Sequence, residues 1–276
     1  MDPNCSSAFI GLAEGLPYVP SGEPVDDLGA LVPVQRPVRR VVSLVPSLTE
    51  AIAITCPDLL VGATDWCTHP QELRVERVRG TKNPNVRRIV EIAPDLVVCN
   101  QEENRRIDVE RLRSAGIAVW VTRIRTLEEA LTSLARLFAV ALGVGTPDWL
   151  GHAAAQWATP PTEAVRNAVI PVWRDPWMVV GRDTFTADLA QKLGLRLVHS
   201  GRAERYPTVS QQELLTGVDL AVLPDEPYVF TETDGPEVFP NIAVVLVDGR
   251  SLTWYGPSLL GARALLTRQL AQPFRA

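Results

Sequence analysis

Two pairs of acidic residues occupy comparable positions in the two halves of this 276-residue chain. Glu102 and Glu103 follow the apolar run at 96–99, and Asp225 and Glu226 follow another short apolar run. Paired carboxylates could accept hydrogen bonds from the amides of a ligand, bind a cation, or act as general acid and base. The alternative is that they cap the next helix or contact solvent. The residue types alone leave these chemistries open.

The segments around the acids repeat one sequence pattern. Each copy begins with a residue–proline pair, at 83–84 and at 206–207, and continues through a helical stretch into an aspartate and a buried strand. The copies differ by a one-residue insertion, and each ends on its acidic pair. In open α/β sheets the carboxyl ends of the strands face the ligand crevice. The repeat therefore predicts two similar α/β lobes with a small-molecule cleft between them.

Aromatic side chains are concentrated on predicted loops, mostly in the second half of the chain. Rings at strand ends can form a flat apolar platform with polar tips, which suits a large planar ligand. The alternative for any single ring is packing in the core. The predicted ligand-binding residues are Trp66, Glu102, Glu103, Trp173, Trp177, Asp225, Glu226, Tyr228, Trp254 and Tyr255, and Phe230 belongs to the same aromatic cluster.

Metal-binding and catalytic motifs are sparse. His69 follows a predicted strand and could ligate a metal, but no second ligand lies at metal-binding spacing, so a structural role is favoured for it. The sequence contains no G-x-S-x-G, no Walker A loop and no G-x-G-x-x-G. An enzyme that uses Asp225 or Glu226 as a base stays the least supported alternative, because no nucleophile–base pair is visible.

Apolar runs alternate with helical stretches along the chain. This order predicts an α/β fold of two Rossmann-like lobes with mainly parallel sheets, bridged by a helix. The predicted divisions are an irregular leader at 1–36, a first lobe at 37–125, a helical bridge at 126–159 and a second lobe at 160–276. Within the first lobe, Ser47 and Glu50 have the spacing of a capping box at a helix start.

Composition indicates an ordinary globular protein. Hydrophobic residues make up 46% and charged residues 21%, and 27 basic against 32 acidic side chains give a net charge of −5. This balance argues against nucleic acid as the main partner. No run approaches the roughly 18–20 apolar residues that span a bilayer, so we expect no membrane insertion.

The beginning of the chain bears on the compartment. Residues 1–30 contain no Lys or Arg and no apolar run of secretory length, and the four cysteines form no C-x-x-C pair. These features predict a cytoplasmic protein with reduced thiols. The alternative is a true start upstream of Met1, in which case the protein would be periplasmic or extracellular.

Taken together, these residues resemble the class III periplasmic binding proteins, the helical-backbone metal receptors, and look nearest to members that bind vitamin B12. The match covers roughly 37–270 and is strongest at 40–51, at 80–121 and at 181–226. The family resemblance implies two α/β lobes bridged by a long helix, with the ligand in a shallow cleft and little lobe closure. It places Trp66, Trp173, Asp225, Tyr228 and Trp254 at ligand-contacting positions.

The chain departs from the family at its docking positions and in its bridge. The resemblance implies one surface glutamate per lobe for docking to a transporter, but Arg87 and Gln212 occupy the matching positions, with Glu213 adjacent. Reversing a charge disfavours a basic partner, which puts docking to an ABC transporter in doubt. Gly143 and Gly145, followed by Pro160–Pro161, also limit the bridging helix to about a dozen residues.

The resulting hypothesis is a non-catalytic binding protein for a corrinoid or a related metal chelate of the cobalamin, haem or siderophore class. The chelate is the ligand, and no separate cofactor is expected. The alternative is the substrate-binding component of an ABC importer. A cofactor-dependent enzyme using Asp225 and Glu226 is the second alternative.

Overall fold

A computed structural model describes residues 23–159 and 165–275. The first lobe is built on a parallel five-stranded sheet in the order β3-β2-β1-β6-β7. Its continuous apolar strands are buried on both faces, as parallel sheets require. The strands of this lobe are β1 (Val41–Ser43), β2 (Leu60–Ala63), β3 (Glu76–Arg77), the small antiparallel pair β4 (Arg79–Gly80) and β5 (Asn83–Pro84), β6 (Leu96–Asn100) and β7 (Val119–Thr122).

Three helices accompany this sheet: α1 (Pro46–Thr55), α2 (Val86–Ile92) and α3 (Arg106–Ser114). A short 3-10 turn, Pro57–Leu59, precedes β2. The predicted capping box at the start of α1 is wrong. Pro46 takes the first helical position, which proline favours, so Val45 is the N-cap and Ser47 lies inside the first turn without capping it.

Two consecutive helices form the bridge. The first, α4 (Leu127–Arg136), continues through a π-helical stretch, Leu137–Leu142, and ends at Gly143, whose φ of 73° is left-handed. The second is α5 (Asp148–Trp157). The bridge is therefore interrupted where the glycines predict. Residues 160–164, with Pro160–Pro161, lie outside the described residues.

The second lobe carries a parallel four-stranded sheet in the order β11-β8-β12-β13, beside an antiparallel pair, β9 and β10. The strands are β8 (Arg166–Val169), β9 (Pro171–Trp173), β10 (Met178–Val179), β11 (Leu195–Leu197), β12 (Leu220–Pro224) and β13 (Ala243–Val247). The helices are α6 (Phe185–Lys192), α7 (Gln211–Leu215), α8 (Gly249–Thr253) and α9 (Leu259–Leu270), and a 3-10 turn spans Pro236–Val238. The predicted fold class, two α/β lobes with mainly parallel sheets, is confirmed.

One hydrophobic cluster joins the lobes. It contains the core of the first lobe and both bridge helices, together with residues of the second lobe, among them Phe185, Tyr255 and Leu259. In addition, the backbone N–H of Leu127 donates to Asp188 Oδ2 on α6 at 2.8 Å. Shared packing of this kind resists relative movement of the lobes.

The described part of the predicted leader packs on the first lobe. Val32 is buried in its core, and Asp26 forms a 2.9 Å ion pair with Arg113. Residues 1–22 lie outside the described residues. Across 23–159 and 165–275, the helices are too short or too polar to cross a membrane.

Candidate ligand site between the lobes

The turn after β6 presents the acids of the first lobe. Buried Asn100 ends the strand, and its Oδ1 accepts hydrogen bonds from the backbone N–H of Glu102 at 2.8 Å and of Glu103 at 3.3 Å. Its own N–H donates to Asn104 Oδ1 at 2.9 Å. The side-chain amides thus fix the backbone of the turn, and both glutamates are half-buried at the carboxyl edge of the sheet.

Both glutamates contact the second lobe. The Tyr206 hydroxyl donates to Glu102 Oε1, and Arg205 Nη1 lies 3.6 Å from Glu102 Oε2. The Tyr255 hydroxyl donates to Glu103 Oε1 at 3.3 Å. The carboxyl edges of the two sheets therefore face each other, and the acids lie at the seam between them.

Burial changes the proton affinity of this seam. Burial, reinforced by the neighbouring charge of Glu102, raises the pKa of Glu103 to about 7. Burial and Glu103 together raise the pKa of the Tyr255 hydroxyl well above its ordinary range. A carboxyl group with such a pKa exchanges its proton near neutrality and can either donate or accept a hydrogen bond.

The acids of the second lobe are partly engaged by α8. The N–H of Gly249 donates to Asp225 Oδ1 at 2.7 Å, and the Thr253 hydroxyl donates to Glu226 Oε1 at 3.2 Å. A Cβ on Gly249 would lie 2.6 Å from Glu226 Cγ, so the close approach requires glycine here. Asp225 is exposed and Glu226 half-buried, and burial raises the pKa of Glu226. Helix capping therefore accounts for part of the arrangement of Asp225.

The candidate rings divide by exposure. Trp66 after β2 is 67% exposed, and Trp173 at the end of β9 is 46% exposed. Trp177 is half-buried and stacks on Phe230 with centroids 6.1 Å apart and planes at 3°. Trp254 and Tyr255 are buried. Trp66 and Trp173 thus have free ring surface for a ligand, whereas the other three support the surrounding structure.

The ring of Trp254 joins the two lobes. It lies edge-on to His69 of the first lobe at 5.5 Å between centroids, and the Arg250 guanidinium lies 5.5 Å from its centroid. The His69 Nδ1 atom is 3.2 Å from the Thr68 hydroxyl. Within 23–159 and 165–275, His, Cys, Asp and Glu side chains form no group of three or more arranged to hold a metal ion. Ligation by His69 stays a prediction.

Several residues of this seam were missed by the sequence analysis, namely Glu50, Phe185, Arg205, Tyr206 and Arg250. Arg250 Nη2 forms an ion pair with Glu50 Oε1 across the lobes, and Glu50 is 1% exposed. One of these residues could have been found from the sequence. Tyr206 directly precedes Pro207, the residue that matches Pro84 in the repeated pattern. The equivalent residue in the first lobe, Asn83, begins β5 and lies near Trp66 and Gly80.

Two cavities lie away from the predicted ligand-binding residues. A groove of about 750 Å³ is lined by Arg125 and Thr126 just before α4, by Arg182 and Asp183 just before α6, and by residues of α6 and β11, including Arg196. A second of about 470 Å³ lies beside Asp27 and α4. None of the predicted ligand-binding residues lines either cavity.

The two predicted docking positions are on the surface. Arg87 on α2 is exposed and forms a 3.2 Å pair with Glu91. Gln212 on α7 is exposed, whereas Glu213 forms a capping box with Ser210. Hydrogen bonds from Ser210 and the Arg202 guanidinium lower the pKa of Glu213 to about 2. Glu213 is therefore engaged within its own lobe.

Comparison with known proteins gives both sequence relatives and structural neighbours, although no family model matches. The chain is 30% identical over 103 residues to the vitamin B12-binding protein of Vibrio cholerae, which spans 37% of each protein. It is 24% identical over 253 residues to the vitamin B12-binding protein of Pectobacterium atrosepticum, covering 85% of this chain and 89% of that one. An uncharacterized ABC transporter substrate-binding lipoprotein of Bacillus subtilis is 36% identical over 92 residues, 32% of this chain and 29% of that protein.

Solved structures match over a longer part of the chain. The periplasmic vitamin B12-binding protein BtuF of Vibrio cholerae superposes with a TM-score of 0.69 at 19% identity, over 85% of this chain and 97% of that one. The periplasmic haem-binding protein HutB of Vibrio cholerae gives 0.66 at 19%, over 84% and 99%. This chain has the fold of the class III periplasmic binding proteins. The resemblance drawn from the sequence is confirmed.

The predicted cytoplasmic location is wrong. The similar proteins are periplasmic binding proteins and a lipoprotein, which points to a periplasmic or extracellular location.

Proposed function

We propose that this chain is a non-catalytic binding protein for a corrinoid or a related metal chelate, held between its lobes. One observation carries the proposal: Trp66, on the loop after β2, and Trp173, at the end of β9, are exposed at the facing carboxyl edges of the two lobes. Exposed large rings at such an edge are typical of a ligand surface rather than of a core. The names of the relatives, which include vitamin B12- and haem-binding proteins, support the same ligand class.

The rings would supply most of the affinity. Burial of apolar surface is worth about 25 cal/mol per Å², and an indole face presents a large area at a low entropy cost. Glu102, Glu103 and Glu226 would accept hydrogen bonds from N–H or O–H groups at the edge of the chelate. The core shared by the lobes would keep the two faces at a fixed separation, which lowers the cost of ordering on binding.

Delivery to an ABC importer is the biological role that the relatives support, since one of them is named as an ABC transporter substrate-binding lipoprotein. In this role the chain would need no cofactor and no catalytic residue, and the chelate would be its cargo. Weakened docking, because Arg87 and Gln212 stand at the positions of the two docking carboxylates, stays a prediction. A transporter that receives this protein would need a less basic surface at those points.

Titration of the purified protein with cobalamin, haem and a ferric siderophore, followed by tryptophan fluorescence, tests the proposal. We expect micromolar or tighter quenching by at least one of them, weakened about tenfold or more by Trp66→Ala or Trp173→Ala. Ile107→Ala, which truncates an exposed apolar side chain on α3, is the matched control and should leave the affinity unchanged. Absence of quenching by all three chelates would overturn the proposal.

A further inference from the structure

Exposed Trp173 is followed directly by an arginine that connects two loops. Arg174 Nη1 contacts Asp234 Oδ1 and lies 2.7 Å from Glu237 Oε1. The guanidinium is 5.4 Å from the centroid of Trp177. Its side chain is only 24% exposed, although it lies on the turn after β9. Arg174 therefore fastens the loop that contains Asp234 to the turn that presents Trp173.

The same loop returns to Trp173 through a tyrosine. The Tyr228 hydroxyl donates to Asp234 Oδ2 at 2.7 Å, so the two oxygens of this carboxylate serve Tyr228 and Arg174 separately. The ring of Tyr228 lies edge-on to Trp173, with centroids 5.6 Å apart and planes at 83°. These contacts form a closed circuit. Arg174 contacts Asp234, Asp234 contacts Tyr228, and Tyr228 contacts Trp173, which is the neighbour of Arg174 in the chain.

The rings of Phe230 and Trp177 pack against this circuit. The ring centroids of Phe230 and Tyr228 are 4.7 Å apart. Phe230 also stacks on Trp177, whose ring lies beneath the Arg174 guanidinium. The loop packs closely against this ring, because a Cβ on Gly235 would lie 2.6 Å from Phe230 Cδ1, and the φ of Gly235 is +118°. Small shifts of the loop are therefore transmitted to Tyr228 rather than absorbed.

We infer that Arg174 is a positioning residue for the ligand surface, and that it acts through Asp234 and Tyr228 to hold the ring of Trp173 in its binding orientation. The effect of Arg174 on ligand binding rests on the proposed function. The orientation itself is a property of the free protein. Arginine suits the role because its planar fork reaches two carboxylates while its face lies on an indole. Lysine retains the charge but neither geometry.

The orientation can be measured without any ligand. In protein labelled with 5-fluorotryptophan, the ¹⁹F resonance of Trp173 is assigned with Trp173→Phe. We expect Arg174→Gln and Tyr228→Phe to shift or broaden this resonance and to leave that of Trp120, buried in the first lobe, unchanged. Arg106→Gln, which removes an exposed arginine paired with Glu110 in the other lobe, is the control. An unaltered Trp173 resonance in both variants would overturn the inference.

A double-mutant cycle tests the consequence for binding. Arg174→Gln should weaken the dissociation constant for the tightest of the three chelates about fivefold, and Arg174→Lys should weaken it less. In a Trp173→Ala background, Arg174→Gln should have no further effect. An equal loss in both backgrounds would show that Arg174 does not act through Trp173. Should Arg174→Gln fail to fold, Tyr228→Phe, which keeps the ring, gives the same cycle.

The two proposals fail in different ways. If the wild-type protein binds no chelate, the proposed function is wrong, while the fluorine spectrum still decides whether Arg174 positions Trp173. If the wild-type protein binds and the cycle is additive, the function stands and the positioning role is wrong.

Discussion

At the scale of single residues, two tryptophans of opposite environment illustrate how the chain divides stability from binding. Trp120 on β7 is fully buried, whereas Trp173 is 46% exposed. We expect Trp120→Ala to lower the free energy of unfolding by about 3–5 kcal/mol, because it leaves a cavity. Trp173→Ala should lower it by less than about 1 kcal/mol. Urea denaturation measures both, and a large loss for Trp173→Ala would show that this ring is structural.

Glu103 is expected to make stability depend on pH. Its folded-state pKa of about 7 lies above the ordinary value of 4.5, so the folded protein retains a proton that the unfolded chain releases. The free energy of unfolding should therefore fall as pH rises from about 4.5 to 7, by at most about 3 kcal/mol from this group. Glu226, whose pKa burial also raises, acts in the same direction.

Comparison of Glu103→Gln with the wild type isolates the contribution of Glu103. The amide stays neutral, so the stability advantage of the variant should grow between pH 5 and pH 7.5 in denaturation curves. The control is Glu110→Gln, an exposed carboxylate on α3. Parallel pH profiles for Glu103→Gln and the wild type would contradict the protonation of Glu103 in the folded state.

At the scale of elements, the cap of α7 gives a direct contrast with the start of α1. The Ser210 side chain accepts from the N–H of Glu213 at 3.3 Å, and the Glu213 carboxylate accepts from the N–H of Ser210 at 2.8 Å. Ser210→Ala should therefore cost about 1 kcal/mol of stability. Ser47→Ala should cost much less, since Ser47 does not cap α1. Equal losses in thermal denaturation would contradict this difference.

Which segments form helices and which form strands could largely be predicted, because residues close together in the sequence determine it. The run at 96–99 became β6 (Leu96–Asn100), and the first bridge helix ends at Gly143, one of the glycines predicted to limit it, with a left-handed φ of 73°. The capping box failed because Ser47 and Glu50 have the right spacing but follow a proline that takes the first helical position, two residues before the start that Ser47 would cap. The spacing of Ser47 and Glu50 does not reveal whether Ser47 or Val45 is the N-cap.

The site was predicted less completely because its contacts are distant in sequence. Tyr206 and Glu102 are 104 residues apart, and Arg250 and Glu50 are 200 apart. Trp254 and Tyr255 have the sequence context of an exposed loop, yet both are buried, Tyr255 in the core that the lobes share and Trp254 beside His69 of the first lobe. Burial between lobes depends on how the lobes meet, which neither composition nor periodicity records.

At the scale of the whole molecule, the ion pair between Glu50 and Arg250 is expected to hold the lobes together. Glu50 is buried, and its Oε2 has no hydrogen-bond partner within the described part of the chain. Arg250→Ala would leave this charge unpaired at the seam and should cost roughly 3 kcal/mol, whereas Glu50→Leu with Arg250→Met should cost less. Arg106→Ala, which breaks an exposed pair, should change stability by under about 0.5 kcal/mol.

Equilibrium unfolding in urea measures these differences. A loss for Arg250→Ala no larger than that for Arg106→Ala would show that the seam is not held by this pair. The shared hydrophobic cluster would then be sufficient to join the lobes.

The most direct measurement of the central claim is a crystal structure of the protein with the chelate that it binds most tightly. We expect the ligand between the carboxyl edges of the two sheets, in contact with the indole rings of Trp66 and Trp173 and within hydrogen-bonding distance of at least one seam carboxylate. A ligand in the groove beside Arg125 and Arg196, or on an outer face with both rings untouched, would contradict the account.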